Sequence, residues 1–489
     1  MAIEQRSIDF VPEHERHGRV TDQGPFWFLS NFHFFAIAIG FVGPSLGLSL
    51  RYTAIAGTLG ILIGTTFQAF HASQGAELGL PQMIQSRAQF GYRGVIVPLL
   101  GTLVSLLGYN VVATVLVSEG CFGLWAIHRT TVTLGVSVVA AALAIWGHDW
   151  LHRAFKLLFW ISLPLFAGLT LAILLGKAGG TVPTTEGFSW PAFLTQLASA
   201  ASFNVTAAPY VSDYSRYLPS STRRHHIIAH VFAGSSLSAI WLIALGAWLA
   251  THIGFADALL SLTQAGDAIH AGLGSILAIT SIAALVATVG MNAYSAMLTF
   301  LTAVDSLTPI RPTRSLRVVV ILGATLLWIL VAVSFGGDAV TYVNSLLVIM
   351  LYFLMPWTAV NLIDYFYLRH GRYAVLELFK PQGLYRAWGK RGLIAYAIGF
   401  GCSIPFFVVP NVYTGPLAAR LGGVDIGWLV SLFSASIAYL WLSRDFNASA
   451  EDAAIADSAR ALSQGTRAHW PYWCEPPCTR TRVCTNTDP

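Results

Sequence analysis

The chain has 489 residues, of which 55% are hydrophobic and only 10% are charged, and its formal net charge is +5. Soluble domains carry about 25% charged residues, so this composition cannot give a globule of 52.8 kDa a water-compatible surface. It excludes an ordinary soluble protein and predicts one that lies in a lipid bilayer. The small positive charge comes without a basic patch interleaved with aromatic residues, so it gives no indication of nucleic-acid binding.

The N-terminal residues are polar and predict no cleavable signal peptide. Of the five cysteines, two lie inside apolar runs and three lie in the last sixteen residues. This distribution does not indicate a disulfide framework.

Apolar stretches long enough to cross a bilayer recur along the chain. A helix needs roughly 20 residues to cross about 30 Å of hydrocarbon. The sequence therefore predicts an all-α integral membrane protein with twelve transmembrane helices. A membrane domain (26–442) lies between an N-terminal segment (1–25) and a tail (443–489). The predicted spans are 26–50, 53–72, 95–120, 130–147, 154–176, 190–212, 227–252, 273–303, 317–335, 340–366, 391–410 and 424–442.

Basic residues are distributed unevenly between the two sides of the predicted bundle. The N-terminal segment and the loops that follow even-numbered spans hold 19 Lys and Arg, whereas the other loops hold four. Because Lys and Arg are enriched on the cytoplasmic side, this bias predicts a multi-pass protein of the cell membrane with both termini in the cytoplasm.

Two of the predicted spans contain residues that interrupt a helix. The first holds Gly40, Gly43, Pro44 and Gly47, and the sixth holds Pro209. The two spans occupy matching places if spans one to five and six to ten are structural repeats. Interrupted helices in corresponding positions of two halves indicate the central site of a transporter. A simple kink or a small-residue packing face is the alternative.

Polar and aromatic side chains are predicted at mid-depth in four spans. Amides and rings in these positions would suit a flat, neutral solute, because an amide matches the edge of a nucleobase and a ring stacks on its face. Bonding between helices is the alternative for any one of them. They are Asn31 and His33 in the first span, Tyr109 and Asn110 in the third, Phe203 and Asn204 in the sixth, and Asn292, Tyr294 and Ser295 in the eighth.

Ionisable residues are few and fall near the ends of the predicted spans. This argues against a pathway for a charged substrate and against a carboxylate proton relay. The sequence has no metal-ligand spacing, nucleophile elbow or phosphate-binding glycine loop, so we expect neither an enzyme nor a bound cofactor.

Four long motifs resemble the nucleobase:cation symporter-1 family, in its purine–cytosine permease branch. They are GLPQMIQSRAQFGYRG (79–94), PYVSDYSRYLP (209–219), PWTAVNLIDYFYLRHGRY (356–373) and GLYRAWGKRGLIAYAIGF (383–400). The resemblance covers roughly positions 20 to 445. It implies a five-plus-five inverted repeat with broken helices 1 and 6, alternating access, and uptake of a nucleobase together with a cation.

The resemblance also implies where the substrate binds, between broken spans one and six and intact spans three and eight. Tyr109 falls where a sodium-coupled hydantoin transporter of the family uses a stacking tryptophan. The substrate-binding residues implied for this chain are Gly40, Phe41, Tyr109, Asn110, Phe203, Asn204 and Asn292.

The coupling ion is expected to be H⁺ rather than Na⁺. The sodium-coupled member ligates its ion with a serine–threonine pair on span eight, and the matching stretch here reads Gly290 and Met291. A hard cation requires oxygen ligands, which these side chains do not supply. No proton carrier is evident from the sequence.

A cytoplasmic gate is predicted at the end of the sixth span. Asp213 and Arg216 are three residues apart on one face of a helix end, and Arg87 in the second loop could pair with Asp213. The three tyrosines at 210, 214 and 217 are interpreted as interfacial aromatics at headgroup depth. The alternative for the charged residues is a surface ion pair of little energetic value.

The tail changes character after residue 442. The stretch EDAAIADSARALSQGTR (451–467) is polar and mildly helical, whereas the last twenty residues are rich in Pro, Cys and Arg and show no periodicity. Cys474, Cys478 and Cys484, with His469 nearby, could ligate zinc, but the composition favours a disordered cytoplasmic tail.

The predicted function is import of cytosine, a purine or a related heterocycle, coupled to H⁺ rather than Na⁺. The expected partners are this small molecule and the lipid bilayer, with no nucleic acid. A transporter of allantoin, a hydantoin or an amino acid is the alternative, and an integral-membrane enzyme or a channel is the alternative from another class.

Overall fold

The fold is described from a computed structural model, which covers residue 4 and the ranges 6–180, 187–254, 257–334, 339–409 and 412–464. For residues 339–344 it describes the backbone alone.

The described chain is almost entirely helical. Its α-helices are α1 (Val20–Asn31), α2 (Phe34–Gly40), α3 (Val42–Ser45), α4 (Leu50–Leu78), α5 (Gln82–Gln85), α6 (Arg87–Phe90), α7 (Ile96–Trp125), α8 (Arg129–Trp146), α9 (His148–Leu174), α10 (Trp190–Val205), α11 (Ser212–Ser215), α12 (Arg224–His252), α13 (Ala258–Asp267), α14 (Leu273–Leu307), α15 (Arg314–Val333), α16 (Ala339–Leu362), α17 (Lys390–Ser403), α18 (Pro416–Arg420), α19 (Gly427–Leu442) and α20 (Asp452–Ser463). A π-helical turn continues α16 over Ile363–Leu368.

Short elements complete the described fold. The 3₁₀ turns are Glu13–Glu15, Val375–Phe379, Ile404–Phe406 and Ala448–Glu451. One antiparallel pair of strands, β1 (Val408–Val409) and β2 (Tyr413–Thr414), joins α17 to α18, with Val408 opposite Thr414.

The helices match the predicted spans in number and order. Within the described residues, eight helices are long and apolar enough to cross a membrane, and the bent pair at Val20–Ser45 adds a ninth. The shorter helices α10, α17 and α19 lie at the other three predicted positions. The count of twelve therefore fits the structure. Large apolar side chains such as Leu174 and Trp160 remain exposed on the outer faces of the bundle, as lipid contact requires.

The break in the first span lies earlier than the sequence suggested. The helix bends by 60° between Asn31 and Phe34, and His33 between them has an extended backbone. The predicted position around Gly40 and Pro44 is therefore wrong for the main bend, although α2 and α3 do meet at Phe41.

The break in the sixth span lies where it was predicted. Helix α10 ends at Val205, and a run of turns that contains Pro209 leads into α11. Because proline cannot donate a backbone hydrogen bond, it suits a position at which the helix has stopped.

The second span packs closely against the sixth through glycine. A Cβ built on Gly60 or Gly64 of α4 would overlap the carbonyl oxygen of Leu197 or Ala201 in α10. Only glycine permits this separation of the two backbones, which fixes the sixth span beside the break of the first. On the other side of the bundle, α14 packs against α7, α8 and α9.

The first part of the tail is folded, so the predicted disorder does not begin at residue 443, and the helix lies in the stretch that the sequence indicates as mildly helical. Residues 448–463 form a 3₁₀ turn and α20, and Glu451 accepts hydrogen bonds from Arg369 at 2.9 Å. The hydroxyl of Ser458 accepts a bond from the Leu376 backbone at 2.9 Å. These contacts with the loop after span ten stabilise the segment. Cys474, Cys478, Cys484 and His469 lie outside the described residues.

Candidate substrate-binding site

Three parallel aromatic rings lie at the centre of the bundle, one from each of spans one, three and six. The ring of Phe35 in α2 lies 4.6 Å from that of Tyr109 in α7, at an angle of 17°, and 5.8 Å from that of Phe203 in α10, at 13°. All three residues are buried. We call Tyr109, Phe35 and Phe203 the aromatic stack. Tyr109 and Phe203, which the sequence predicted as stacking faces, thus both lie against Phe35, and their part in substrate binding stays a prediction.

Two amide oxygens, one in span three and one in span eight, are buried without a hydrogen-bond partner among the described residues. They belong to Asn110 in α7 and Asn292 in α14. The amide nitrogen of Asn110 donates to the carbonyl of Val289 at 3.2 Å, which ties span three to span eight. An unpaired buried oxygen costs free energy, so each is available to a ligand that brings an N–H group.

Asn204 has a different role from the one predicted. Its oxygen accepts a hydrogen bond from the amide of Asn31 at 2.8 Å, and its nitrogen donates to the hydroxyl of Thr65 at 2.6 Å. These bonds join spans one, two and six. Because both amide atoms are used within the bundle, Asn204 serves helix packing, which was the alternative interpretation.

Gly40 and Phe41 also lie apart from the stack. A Cβ on Gly40 would lie within 2.7 Å of the Ala247 nitrogen in α12, so this glycine permits close contact with the seventh span. Phe41 is buried at the junction of α2 and α3, and it makes no ring contact with the stack within the described structure. The early bend of the first span is the reason, because it brings Phe35 rather than Phe41 to the site.

His33 occupies the bend itself. Its Nε2 atom lies 2.9 Å from the carbonyl oxygen of Ser30 and 3.5 Å from the hydroxyl of Tyr109. The Nδ1 atom is buried without a partner among the described residues. The ring stands edge-on to those of Phe35 and Phe203, at 6.3 Å and 6.2 Å. A titratable side chain therefore borders the aromatic stack.

Span eight uses Gly290 and Met291 for packing, at the stretch where the resemblance implied a sodium site. A Cβ on Gly290 would lie 3.0 Å from the carbonyl oxygen of Ala140 in the fourth span. The carbonyl of Met291 accepts a hydrogen bond from the hydroxyl of Tyr214 at 2.8 Å. Neither side chain offers an oxygen ligand.

Arg87 does not pair with Asp213, which corrects the predicted gate contact. Its guanidinium lies 2.8 Å from the carboxylate of Asp305 at the end of α14, and it stacks over the ring of Tyr92 at 4.1 Å. Asp213 instead accepts a hydrogen bond from the backbone of Gln82 at 3.1 Å. The sequence did not reveal Asp305 as the partner because the two residues are 218 positions apart.

Arg216 also has a different partner from the one that its spacing suggested. It does not form an ion pair with Asp213 within the described structure. Its guanidinium lies 3.4 Å from the carboxylate of Glu4 and donates to the hydroxyl of Tyr294 at 3.0 Å. Glu4 belongs to a segment of the chain before the first span.

Residue 4 and residues 6–18 of the N-terminal segment lie across one end of the bundle. Burial by itself would raise the pKa of Glu4, but Arg317 and Arg216 together lower it below its usual value. The Glu4 carboxylate also accepts bonds from Tyr294 and from the His148 backbone, at 2.8 Å and 3.2 Å. This single carboxylate therefore joins spans five, eight and nine to the end of span six.

Tyrosines 210, 214 and 217 are not interfacial, as the sequence suggested. Their exposed fractions are 6%, 1% and 5%, so they lie inside the bundle rather than at its lipid boundary. The hydroxyl of Tyr217 bonds to Glu4, and that of Tyr214 bonds to span eight. The break of the sixth span turns this segment inward, which a straight helix would not do.

Comparison with known proteins agrees with the geometry. A family model described as "Permease for cytosine/purines, uracil, thiamine, allantoin" matches residues 10–431. The chain belongs to this family.

One similar protein covers nearly all of the chain, and another covers about half of it. The putative purine-cytosine permease YxlA of Bacillus subtilis (strain 168) is 34% identical over 449 residues, which are 91% of this chain and 96% of YxlA. The purine-cytosine permease FCY2 of Saccharomyces cerevisiae is 26% identical over 263 residues, which are 50% of this chain and 47% of FCY2.

Solved structures share the fold. Mhp1, a nucleobase-cation-symport-1 family transporter, in a closed conformation with bromovinylhydantoin bound, superposes with a TM-score of 0.71 at 16% identity, over 94% of this chain and 100% of that one. The inward-facing conformation of Mhp1 superposes with a TM-score of 0.65 at 17% identity, over 94% of this chain and 99% of that one. The chain is therefore a multi-pass membrane transporter with the five-plus-five inverted repeat, and it is not an enzyme.

Three residues of the site were not predicted as functional from the sequence. Phe35 is one of several aromatics in an apolar run, His33 was noted only as a polar residue, and Glu4 lies before any span. A signal was present for His33 alone, since an ionisable residue within a span indicates function by default.

Proposed function

We propose that the protein imports a nucleobase, either cytosine or a purine, across the cell membrane together with a proton. The observation that carries this proposal is the aromatic stack together with two buried, unpaired amide oxygens. A flat heterocycle with N–H groups on its edge complements both features at once. The purine-cytosine permeases among the relatives support the same substrate class.

The stack supplies the faces of the binding site. Phe35 fills the space between Tyr109 and Phe203, so we expect it to move when a base enters. Offset or parallel contacts between rings contribute about 0.5–1.5 kcal/mol beyond the area that they bury. A base that replaces Phe35 would keep two such contacts, and the exchange would cost little.

The amides supply the edge of the site. The free oxygens of Asn110 and Asn292 can accept hydrogen bonds from a ring N–H or an exocyclic amino group. A site that leaves these oxygens unpaired discriminates against a ligand without donors. An amino acid fits less well, because its carboxylate would require a positive partner and the described residues of the site include none that is permanently charged.

Alternating access would follow from the two ends of the bundle. The distribution of basic residues supports an orientation with both termini in the cytoplasm, so the N-terminal segment would close the cytoplasmic end. Opening that end would require the Glu4 contacts to break. Ion and base would be coupled because each favours the conformation that the other also favours.

A proton is the preferred coupling ion. Gly290 and Met291 offer no side-chain oxygen, and the carbonyl of Ser30 at the bend is already used by His33. A sodium ion would need several oxygen ligands at this depth. Coupling to sodium remains the competing hypothesis within the same function.

The test is uptake of radiolabelled cytosine, adenine, hypoxanthine, uracil and allantoin in cells that lack their own permeases, with sodium present or replaced by choline. We expect saturable, energy-dependent uptake of cytosine or a purine that persists without sodium. Preference for allantoin would reassign the substrate, and loss of uptake in choline would reassign the ion.

A further inference from the structure

We propose that Nδ1 of His33 is the site that binds the coupling proton. The inference rests on the proposed import of a nucleobase and adds the atom through which the proton acts. His33 is fully buried, it lies at the 60° bend of the first span, and its ring borders the aromatic stack.

The hydrogen bonds fix which ring nitrogen is free. Nε2 lies 2.9 Å from the carbonyl oxygen of Ser30, and a carbonyl can only accept. Nε2 therefore carries the hydrogen of the neutral ring, and Nδ1 carries the lone pair. Since Nδ1 has no partner among the described residues, it is the atom at which a proton would add.

The surroundings contain no charge that would hold a proton permanently. Among the described residues, the titratable side chain that contacts the ring is Tyr109 of α7, with its hydroxyl 3.5 Å from Nε2. The other neighbours are the Ser30 carbonyl, the backbone of His33 itself, Phe35 of α2 and Phe203 of α10, and none of these titrates. No charged group from any element acts on His33 in the described structure.

Because no charged group stabilises a protonated His33, binding of the proton and binding of the base favour each other. A buried imidazolium without a partner is costly, whereas one that donates to an acceptor is stabilised. A nucleobase carries carbonyl or ring-nitrogen acceptors on the same edge as its donors. Nδ1–H⁺ would donate to that acceptor, while the Asn110 and Asn292 oxygens accept from the donors.

The contacts at the bend also explain why a metal ion is not required there. The Ser30 carbonyl accepts a hydrogen bond from His33, and the Thr288 hydroxyl of α14 lies 3.4 Å from the same oxygen. Thr288 also donates to the carbonyl of Ala284 at 3.1 Å. The backbone group that the bend exposes is thus satisfied by span one and span eight.

The proton balance of the cycle is simple. In the outward-open state, water delivers one proton to Nδ1, and the imidazolium binds one base. The loaded carrier closes and opens inward. There the base leaves, the imidazolium loses its acceptor, and Nδ1 returns the proton to cytoplasmic water. One proton enters with each base, and no bond of the base changes.

The experiment uses the full-length protein in proteoliposomes and compares the wild type with His33→Gln and His71→Gln. Glutamine at 33 keeps an N–H donor for Ser30 but cannot titrate. His71 is the matched control, since it is also buried with one ring nitrogen on a backbone carbonyl and the other unpaired, and it stacks on Trp357 away from the site.

Two transport modes separate coupling from binding. With an imposed pH gradient, we expect His33→Gln to accumulate labelled cytosine at least tenfold less than the wild type. With equal pH on both sides, base-for-base exchange by the wild type should weaken as the pH rises, whereas any exchange that remains in His33→Gln should not vary with pH, because glutamine cannot titrate. His71→Gln should retain both activities. Accumulation by His33→Gln at the wild-type level would overturn the proposal.

A measurement on the wild type covers the case in which His33→Gln loses both modes. Cytosine binding to the purified wild type should tighten by up to about tenfold for each unit of falling pH on the alkaline side of the transition, with uptake of one proton per base in weakly buffered solution. Binding that neither varies with pH nor takes up protons would overturn the proposal. If the wild type binds and transports none of the bases, the proposed function itself fails.

Discussion

At the scale of single residues, the asparagines that were predicted to hold the substrate differ in what their amides contact. The amide oxygen of Asn204 accepts a hydrogen bond from Asn31, and its amide nitrogen donates one to Thr65. Asn110 and Asn292 each keep a buried oxygen without a partner in the described structure. The same residue type therefore joins helices in one place and can meet a ligand in another, and only the neighbours distinguish the two.

This difference gives opposite expectations for two alanine variants. Asn292→Ala should lower uptake by at least tenfold, which corresponds to about 1.4 kcal/mol of lost interaction, with little change in thermal stability. Asn204→Ala should destabilise the protein by roughly 1–3 kcal/mol, because it removes one hydrogen bond to Asn31 and one to Thr65, which keep only their bonds to the carbonyls of Ser235 and Ile61. Initial uptake rates and melting of the detergent-solubilised proteins measure the two effects.

The pair of variants is its own control. If Asn292→Ala transports normally, Asn292 does not belong to the site. If Asn204→Ala melts like the wild type but loses uptake, its contacts to spans one and two would be functional rather than structural.

At the scale of elements, the N-terminal segment binds several spans together at one end of the bundle. The Ser7 carbonyl accepts from Arg216, and the Val11 backbone donates to the Gly79 carbonyl at 2.9 Å. Arg16 donates to the carbonyl of Ala76 at 2.6 Å. With the Glu4 contacts, the segment holds spans two, six and nine in one arrangement, and it must loosen for this end to open.

Replacing Glu4 tests whether its contacts hold the N-terminal segment against the bundle. Glu4→Gln leaves the buried guanidinium groups of Arg216 and Arg317 without their carboxylate, and loss of one partner of a buried ion pair costs roughly 3–5 kcal/mol. We expect faster hydrogen–deuterium exchange of residues 6–18. Since the pKa of Glu4 is lowered, its stabilising effect is present above the ordinary pKa of a carboxyl and is lost only as the pH falls through that lowered value.

Glu13→Gln is the matched control for that variant. Glu13 is in the same segment, but its side chain is 56% exposed and its contact to Arg16 measures 3.4 Å. It also accepts a hydrogen bond from the Ser220 backbone at 3.1 Å, which the amide oxygen of glutamine can keep. It should leave exchange of the segment nearly unchanged. Equal exchange in wild type and Glu4→Gln would mean that Glu4 does not hold the segment.

At the scale of the whole molecule, orientation and fold are separate questions. The structural match establishes the bundle and its two repeats, whereas the basic residues predict which end faces the cytoplasm. Ser221 lies exposed in the loop after the sixth span, near the N-terminal segment, and Val412 lies exposed between the last two spans. The predicted topology places these loops on opposite sides of the membrane.

Cysteine labelling determines the orientation. In a background with all five native cysteines replaced by serine, a membrane-impermeant maleimide should label Val412→Cys in intact cells. It should label Ser221→Cys only after the membrane is permeabilised. The reverse pattern would invert the orientation and would put the N-terminal segment outside.

The sequence predicted the architecture well because its signals are local. Twelve apolar stretches reflect the length that a helix needs to cross lipid, and Pro209 marks the sixth break because proline lacks a backbone donor. Tyr109 and Phe203, which the sequence offers as stacking faces, both lie against Phe35, and their role in binding stays a prediction. Each of these inferences depends on residues within one span or on its place in the repeat.

What the sequence by itself determined is thus a twelve-helix transporter with two interrupted spans and aromatic faces at its centre. Only the tertiary structure decided that the first bend lies at His33, that Phe35 and not Phe41 enters the stack, and that Arg87 and Arg216 pair with Asp305 and Glu4. The physical reason is that these outcomes depend on which polar groups and backbones meet between distant helices. The partner of a polar or charged side chain in the bundle is the group that helix packing places next to it. The spacing of residues along one helix does not specify which group that is.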